Sequence, residues 1–150
     1  RHNINAAHSR MFACVLVKVD EFYRPHDGKF FKRFPHCIDI LNTSDVQIAK
    51  NIANIIREKD GGLRCVKAMG FMLEDRGIAQ VSINMTDYRV TPLYRVTELV
   101  KAEAKRYGVQ VIGTEVIGLC PMKALVDTAE YYLQIEDFDF DGQVLENYIL

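Results

Sequence analysis

From Ala79 to Thr86 apolar and polar side chains alternate without a break. Ala79, Val81, Ile83 and Met85 stand on one side of the pattern, and Gln80, Ser82, Asn84 and Thr86 on the other. A period of two predicts a half-buried strand over 78–86, one face on a core and one face elsewhere. The polar side carries two amides and two hydroxyls and no long charged side chain. Such a row is either an ordinary wet strand face or a surface that meets a ligand rich in hydrogen-bonding edges.

The same reading extends along the chain. Residues 1–10 show no period. The run 11–19 (MFACVLVKV) is almost wholly apolar and predicts a buried strand. The stretch 20–33 is punctuated by Pro25 and Gly28 and reads as a connection. A strand is expected at 34–41, and Ser44 with Gln47 has the spacing of a capping box. The helix opened there has Ile48, Ile52, Ile55 and Ile56 as its apolar stripe, with Ala49 and Ala53 widening it. Arg57 and Lys59 fall in its last turn, and Gly61 and Gly62 end it. A strand at 63–73, the connection EDRG at 74–77 and the strand from Ile78 make a hairpin. Thr91 and Pro92 open a second helix with Leu93, Val96, Leu99 and Val100 on its buried side, closed by Gly108. A fourth strand over 109–117 leads through GLCP into a third helix over 122–133, its buried side Leu125, Val126, Ala129 and Leu133. The acidic run 136–142 reads as a solvated loop, and 143–150 as a short helix laid back on the body.

From residue 34 the order is βαββαβ with a trailing helix. This predicts an α+β, ferredoxin-like antiparallel sheet with helices on one face, plus an extra N-terminal strand. The expected division is an N-terminal remnant, 1–33, and a ferredoxin-like domain, 34–150. Strands 34–41 and 78–86 take the middle of the sheet, which puts the polar row at the centre of its open face. Gly70, inside a strand, marks either a bulge or a ligand lying close.

Composition narrows the function. A net charge of −1 gives no electrostatic case for nucleic acid or an acidic membrane. No apolar run reaches spanning length and no signal peptide opens the chain, which points to the cytoplasm. Cys14, Cys37, Cys65 and Cys120 are widely spaced and form no CxxC pair, so reduced thiols are expected, with no metal. The chain opens at Arg1, as a piece of a longer polypeptide would.

The strings DGGLRCVKAMGFMLEDRGIAQVSINMTDY and GVQVIGTEVIGLCPMKALVDTAEYYLQIEDFDFDGQVLEN closely resemble bacterial glutamate formiminotransferases, and LNTSDVQIAKNIANIIREK fits the same family. The resemblance covers about residues 38–150 and matches the C-terminal half of the family's unit. It implies two related ferredoxin-like halves with folate bound in a tunnel between them, the first half being mostly absent here. The family's catalytic His stands in a His-Pro-Arg-Met-Gly-Ala motif before an apolar strand. In AHSRMFACVLV, His8, Arg10 and Met11 match, while Ser9 and Phe12 depart from it. His8 therefore resembles the catalytic His, and His2, His26 and His36 have no motif support.

The resemblance implies transfer of a formimino group from N-formiminoglutamate to tetrahydrofolate as co-substrate, without a metal. A His of near-neutral pKa suits the proton transfer between nitrogens. A carboxylate, Glu115 or Asp87, would steady the cationic amidine, although Asp87 also suits a cap or a rim ion pair. Gln80, Ser82 and Asn84 would address the pterin edge or position the bound amidine. Gly118 and Leu119, before the third helix, would offer backbone N–H groups to a substrate carboxylate, with Gly118 allowing close approach. Arg64 and Lys67 are further cations. Two other readings stay open: a non-catalytic folate or small-molecule binding module, and a subunit completed by a separate catalytic half; the edge strands also admit a homodimer.

Overall fold

The computed structural model describes residues 35–149. His8, the 11–19 strand and the 1–33 remnant lie outside the described residues. Strand β1 (His36–Leu41) is followed by helix α1 (Val46–Ile56), the hairpin β2 (Val66–Leu73) and β3 (Ile78–Met85), helix α2 (Leu93–Arg106), strand β4 (Val111–Ile117) and helix α3 (Met122–Leu133). A single helical turn, α4 (Phe140–Gln143), and a 3-10 turn (Leu145–Tyr148) end the described chain.

The sheet order is β2-β3-β1-β4, with every neighbouring pair antiparallel. This is the α+β, ferredoxin-like arrangement that the element order predicts: β1 and β2 run the same way, and β3 is inserted between them. Helix α1 lies over β2 and β3, and α2 over β1 and β4. Between helices and sheet sits a core that includes Cys37, Leu41, Ile52, Ile56, Val81, Ile83, Met85, Val96 and Val100. The apolar side of the alternating stretch, Ala79 to Met85, is thus the core face of β3.

Several local expectations shift. The cap of α1 is Asp45, whose Oδ1 accepts from Gln47 N at 2.8 Å; Ser44 is not the cap. The Gln47 side chain reaches forward to Asn51 Oδ1 at 2.8 Å, so no reciprocal box forms. Helix α1 stops at Ile56, and Arg57 turns out to pair with Asp60 across a 3-10 turn. Ile55 points to solvent, one step round from the buried Ile52 and Ile56. Strand β2 begins at Val66, three residues later than its apolar run. Thr91 is buried and donates to the Arg64 carbonyl at 2.6 Å, tying the start of α2 to the approach to β2. Pro92 stands at the cap position instead. The acidic run is partly helical: Asp139 caps α4 by accepting from Asp141 N at 3.1 Å.

Gly70 marks neither a bulge nor a ligand. The β2–β3 register is continuous, and a Cβ at Gly70 would overlap the backbone of Ala49 and Lys50. The missing side chain is what lets α1 settle on β2. In α3, only Ala124 is buried; Leu125, Ala129 and Leu133 are exposed and Val126 is half-buried. Helix α3 is held on α2 by its other side instead. Tyr131 stacks on Tyr94 with ring centroids 4.2 Å apart, and Tyr132 Oη donates to Glu98 Oε1 at 2.7 Å.

Candidate functional site

Antiparallel partners share a face, so the register sorts every strand side chain. Opposite the helix layer the sheet presents three cross-strand rungs. Lys67, Asn84, His36 and Ile117 form the first, Met69, Ser82, Ile38 and Glu115 the second, and Phe71, Gln80, Ile40 and Gly113 the third. β3 and β1 are the two middle strands, which puts Gln80, Ser82 and Asn84 on one line through the centre of this face. Glu115 stands on the same face in edge strand β4, two strands from Ser82 with β1 between them, roughly 10 Å away at the usual strand spacing.

The central placement is as the alternation predicts; the openness is not. Gln80 is 3% exposed and Ser82 8%, with Asn84 half-buried. Their short side chains share the face with the larger His36, Ile38, Ile40, Met69 and Phe71, of which Ile38 and Ile40 are also buried. The row is therefore a polar seam in a covered face and not a wet strand surface.

Sequence reasoning passed over His36. It enters from the first residue of β1, opposite Asn84, and its Nε2 lies 2.9 Å from Ser82 Oγ. Burial lowers its pKa, which keeps the imidazole neutral near neutral pH, able to donate from one nitrogen and accept at the other. The signal was strand parity: His36, Ile38 and Ile40 occupy one side of β1, and pairing with β3 brings that side to the amide row. Asn84 Oδ1, beside it, is buried without a hydrogen-bond partner. Buried acceptors are normally satisfied, so an orphaned one is a place where a donor is missing.

The remaining expected residues are more dispersed. Gly118 and Leu119 follow β4 at the end of the sheet where His36 begins β1. Gly118 has φ +73°, with open space around the position of an added Cβ, so a left-handed turn and not close approach is what requires glycine. Leu119 is exposed, and α3 begins at Pro121 without a side-chain cap. Lys67 is exposed in the first rung beside Asn84, whereas Arg64 lies before β2 in the connection that Thr91 ties down. Asp87 belongs to a rim ion pair: its carboxylate accepts from Arg89 Nε at 3.0 Å and from Arg89 N at 3.0 Å.

A second unusual group lies on the helix side. Asp39 is fully buried among Cys37, Leu41 and Val81, accepts from Thr114 Oγ1 at 2.6 Å, and leaves Oδ2 without a partner. Burial pushes its carboxyl up to about 6, opposed by the Thr114 hydrogen bond and the charge of Lys101. Among the described residues no group of three His, Cys, Asp or Glu side chains could hold a metal ion, and no helix is long and apolar enough to cross a membrane. Cys37, Cys65 and Cys120 are free thiols.

Comparison with known proteins bears directly on this seam. A glutamate formimidoyltransferase of Streptococcus pyogenes serotype M1 is 59% identical over 110 residues, covering 73% of this chain and 37% of that protein. One from Thermoplasma acidophilum is 53% identical over 106 residues, 71% of this chain and 35% of that protein. The formimidoyltransferase-cyclodeaminase of Rattus norvegicus is 39% identical over 103 residues, 66% of this chain and 19% of that protein. The chain thus spans little more than a third of the length of the first two curated relatives. The formiminotransferase domain model matches residues 36–145, from the first residue of β1 to the tail, and so takes in all three rungs. By that match and these identities, the chain belongs to the formiminotransferase domain family.

Proposed function

We propose that this chain serves the transfer of a formimino group from N-formiminoglutamate to N5 of tetrahydrofolate, as the folate-facing part of a glutamate formiminotransferase. In this reaction the N5 lone pair attacks the amidinium carbon and a C–N bond forms. The N5 proton passes to the glutamate nitrogen of the tetrahedral intermediate. The old C–N bond then breaks, leaving glutamate and 5-formiminotetrahydrofolate. The protein's task is to hold two substrates in line and carry one proton between nitrogens.

The observation that carries the reading is the buried polar seam inside a chain of this family. Gln80, Ser82 and Asn84 offer donors and acceptors that match a pterin edge. The unpartnered Oδ1 of Asn84 fits an N–H of the co-substrate, as a vacant acceptor in the seam should. Glu115, on the same face, balances the cationic amidine. Gly118 and Leu119 lead to the uncapped start of α3, where backbone N–H groups suit a substrate carboxylate. His8 is the proton carrier in this reading, and tetrahydrofolate is a co-substrate with no metal required. In this reading the protein acts in the cytoplasm.

A second reading has its own support. The chain spans about a third of relatives that carry the activity in their names, and the seam is covered. Both fit a binding module, or a subunit completed by a separate catalytic half. One assay separates the cases. The chain is given N-formiminoglutamate and tetrahydrofolate, alone and with the missing half of a relative. Turnover alone that is lost in His8→Ala supports a self-sufficient enzyme; turnover only on addition supports a completed subunit. Folate binding without turnover in either arm leaves a binding module.

A further inference from the structure

The hydroxyl of Ser82 has one proton to give, and the seam offers it one acceptor. Ser82 is buried, and among the described residues its side chain makes a single hydrogen bond, the 2.9 Å contact with His36 Nε2. Two arrangements satisfy that distance. If Nε2 carries hydrogen it donates to Oγ, and the Ser82 proton is left buried without an acceptor, which is costly. If Nε2 is bare, Ser82 donates to it and the imidazole hydrogen sits on Nδ1. Nδ1 belongs to a half-buried ring and is not stranded: among the described residues the buried side-chain atoms without a partner are Asp39 Oδ2 and Asn84 Oδ1. The second arrangement is therefore the favoured one. It leaves both lone pairs of Ser82 Oγ available in the seam, two residues along β3 from the vacant Oδ1 of Asn84.

We propose that His36 is a positioning residue: by accepting the Ser82 proton it sets Ser82 Oγ and Asn84 Oδ1 as paired acceptors for a ligand edge that carries two N–H groups. This role rests on the folate reading of the face and gives that reading a polarity. Two groups in the proposed reaction carry such an edge, the aminopyrimidine side of the reduced pterin and the amidinium of N-formiminoglutamate. The imidazole must be neutral for the pair to form. Once protonated it has N–H at both nitrogens, so Nε2 donates to Ser82 Oγ and the hydroxyl proton turns away from the ring. Ser82 then meets a ligand N–H with a donor, and one recognition contact becomes a repulsion. Burial lowers the pKa of His36 from its ordinary 6.5, which holds the acceptor state through the neutral range. Among the described residues the charged groups on this face are Lys67 on β2 and Glu115 on β4, and the helices pack on the other side of the sheet. Neither charge is the source of the shift, which follows from burial.

Two measurements test this, the first without ligand. In long-range proton–nitrogen correlation spectra of the histidine-labelled chain, the His36 signals are identified by their loss in His36→Gln. Above pH 6.5 they should show hydrogen on Nδ1 and none on Nε2, and Ser82→Ala should abolish that preference. Hydrogen on Nε2 in the natural chain would overturn the inference and leave the folate reading standing. The second measurement is affinity on both sides of pH 6.5, for tetrahydrofolate and separately for N-formiminoglutamate, with the missing half of a relative present. The ligand seated on the acceptor pair should bind about tenfold more weakly once His36 takes its proton. His36→Gln, whose side-chain oxygen can accept from Ser82 at every pH, should bind without that step, and the comparison removes the ligands' own ionisation. An equal step in His36→Gln and the natural chain, or no step for either ligand, would overturn the inference alone. Failure of both ligands to bind at any pH would overturn it together with the folate reading.

Discussion

Asp39 is the residue whose environment makes the sharpest demand on the fold. Its carboxyl has no exposure, one hydrogen bond from Thr114, and a pKa raised from 3.8 to about 6. A carboxyl that holds its proton more tightly when folded favours the folded state at low pH. The contribution is complete below pH 3.8, is lost as pH rises towards 6, and stays lost above. At 1.36 kcal/mol per unit the full swing is at most ~3 kcal/mol. Asp39→Asn keeps the shape, keeps an acceptor for Thr114 and removes the charge. Its unfolding free energy relative to the natural chain should therefore rise between pH 4 and 6 and level off above, as read by urea titration at several pH values; an unchanged difference across that window would refute the assignment. Gly70 makes a steric demand at the same scale. Gly70→Ala would drive a methyl group into the backbone of α1 at Ala49 and Lys50. The expected loss is about 1–3 kcal/mol, seen as a lower midpoint in the same titration.

At the scale of elements, the strands and the first two helices were legible because each has its partner inside this sequence. A period of two marked β3 because one side truly faces α1 and the other the seam, and the α2 stripe met β1 and β4 as drawn. Periodicity failed at α3, where Leu125, Ala129 and Leu133 form a stripe that stays exposed. A stripe records that a face prefers burial, not what buries it. The cap of α1 moved from Ser44 to Asp45 because both residue types can accept from an N-terminal N–H, and the backbone at Asp45 is extended in the way a cap requires. Of the site, Gln80, Ser82 and Asn84 were visible from spacing alone. His36 was not, because its neighbours on the face come from β3, some forty-six positions along. Asp39 sat in an apolar run whose parity places it on the core side, a signal that becomes decisive only once β1 is paired. The attachment of α3 is itself testable. It rests on the Tyr94–Tyr131 stack and the contact of Tyr132 with Glu98 and Lys101. Tyr131→Ala should cost about 0.5–1.5 kcal/mol beyond lost area and speed amide exchange across Met122–Leu133, leaving β1 and β3 protected. Uniform loss of protection would mean that α3 folds with the core.

At the scale of the whole molecule, the two faces of the sheet have different tasks. The helix face is apolar, and its one buried carboxyl is a cost to stability. The opposite face keeps a polar seam buried, which also costs stability unless its groups find partners. Asn84 separates structural from ligand-bearing roles, because the two predict opposite things of one substitution. If the seam only stabilises the fold, Asn84→Leu should lower the thermal midpoint. If Asn84 Oδ1 is the vacant acceptor for a co-substrate, removing an unsatisfied buried group should leave the unliganded midpoint unchanged or higher. The variant should then lose the upward shift that the proposed function expects of tetrahydrofolate on the natural chain. That shift corresponds to about 2.7 kcal/mol at a hundredfold excess over the dissociation constant. Differential scanning fluorimetry of both chains, with and without tetrahydrofolate and with the missing half of a relative present, reads both quantities at once. A lowered unliganded midpoint with an intact folate shift would assign Asn84 to the fold and remove it from the site. A lost folate shift with an unchanged midpoint would make the seam a recognition surface, whose vacant acceptor is kept because the bound partner fills it.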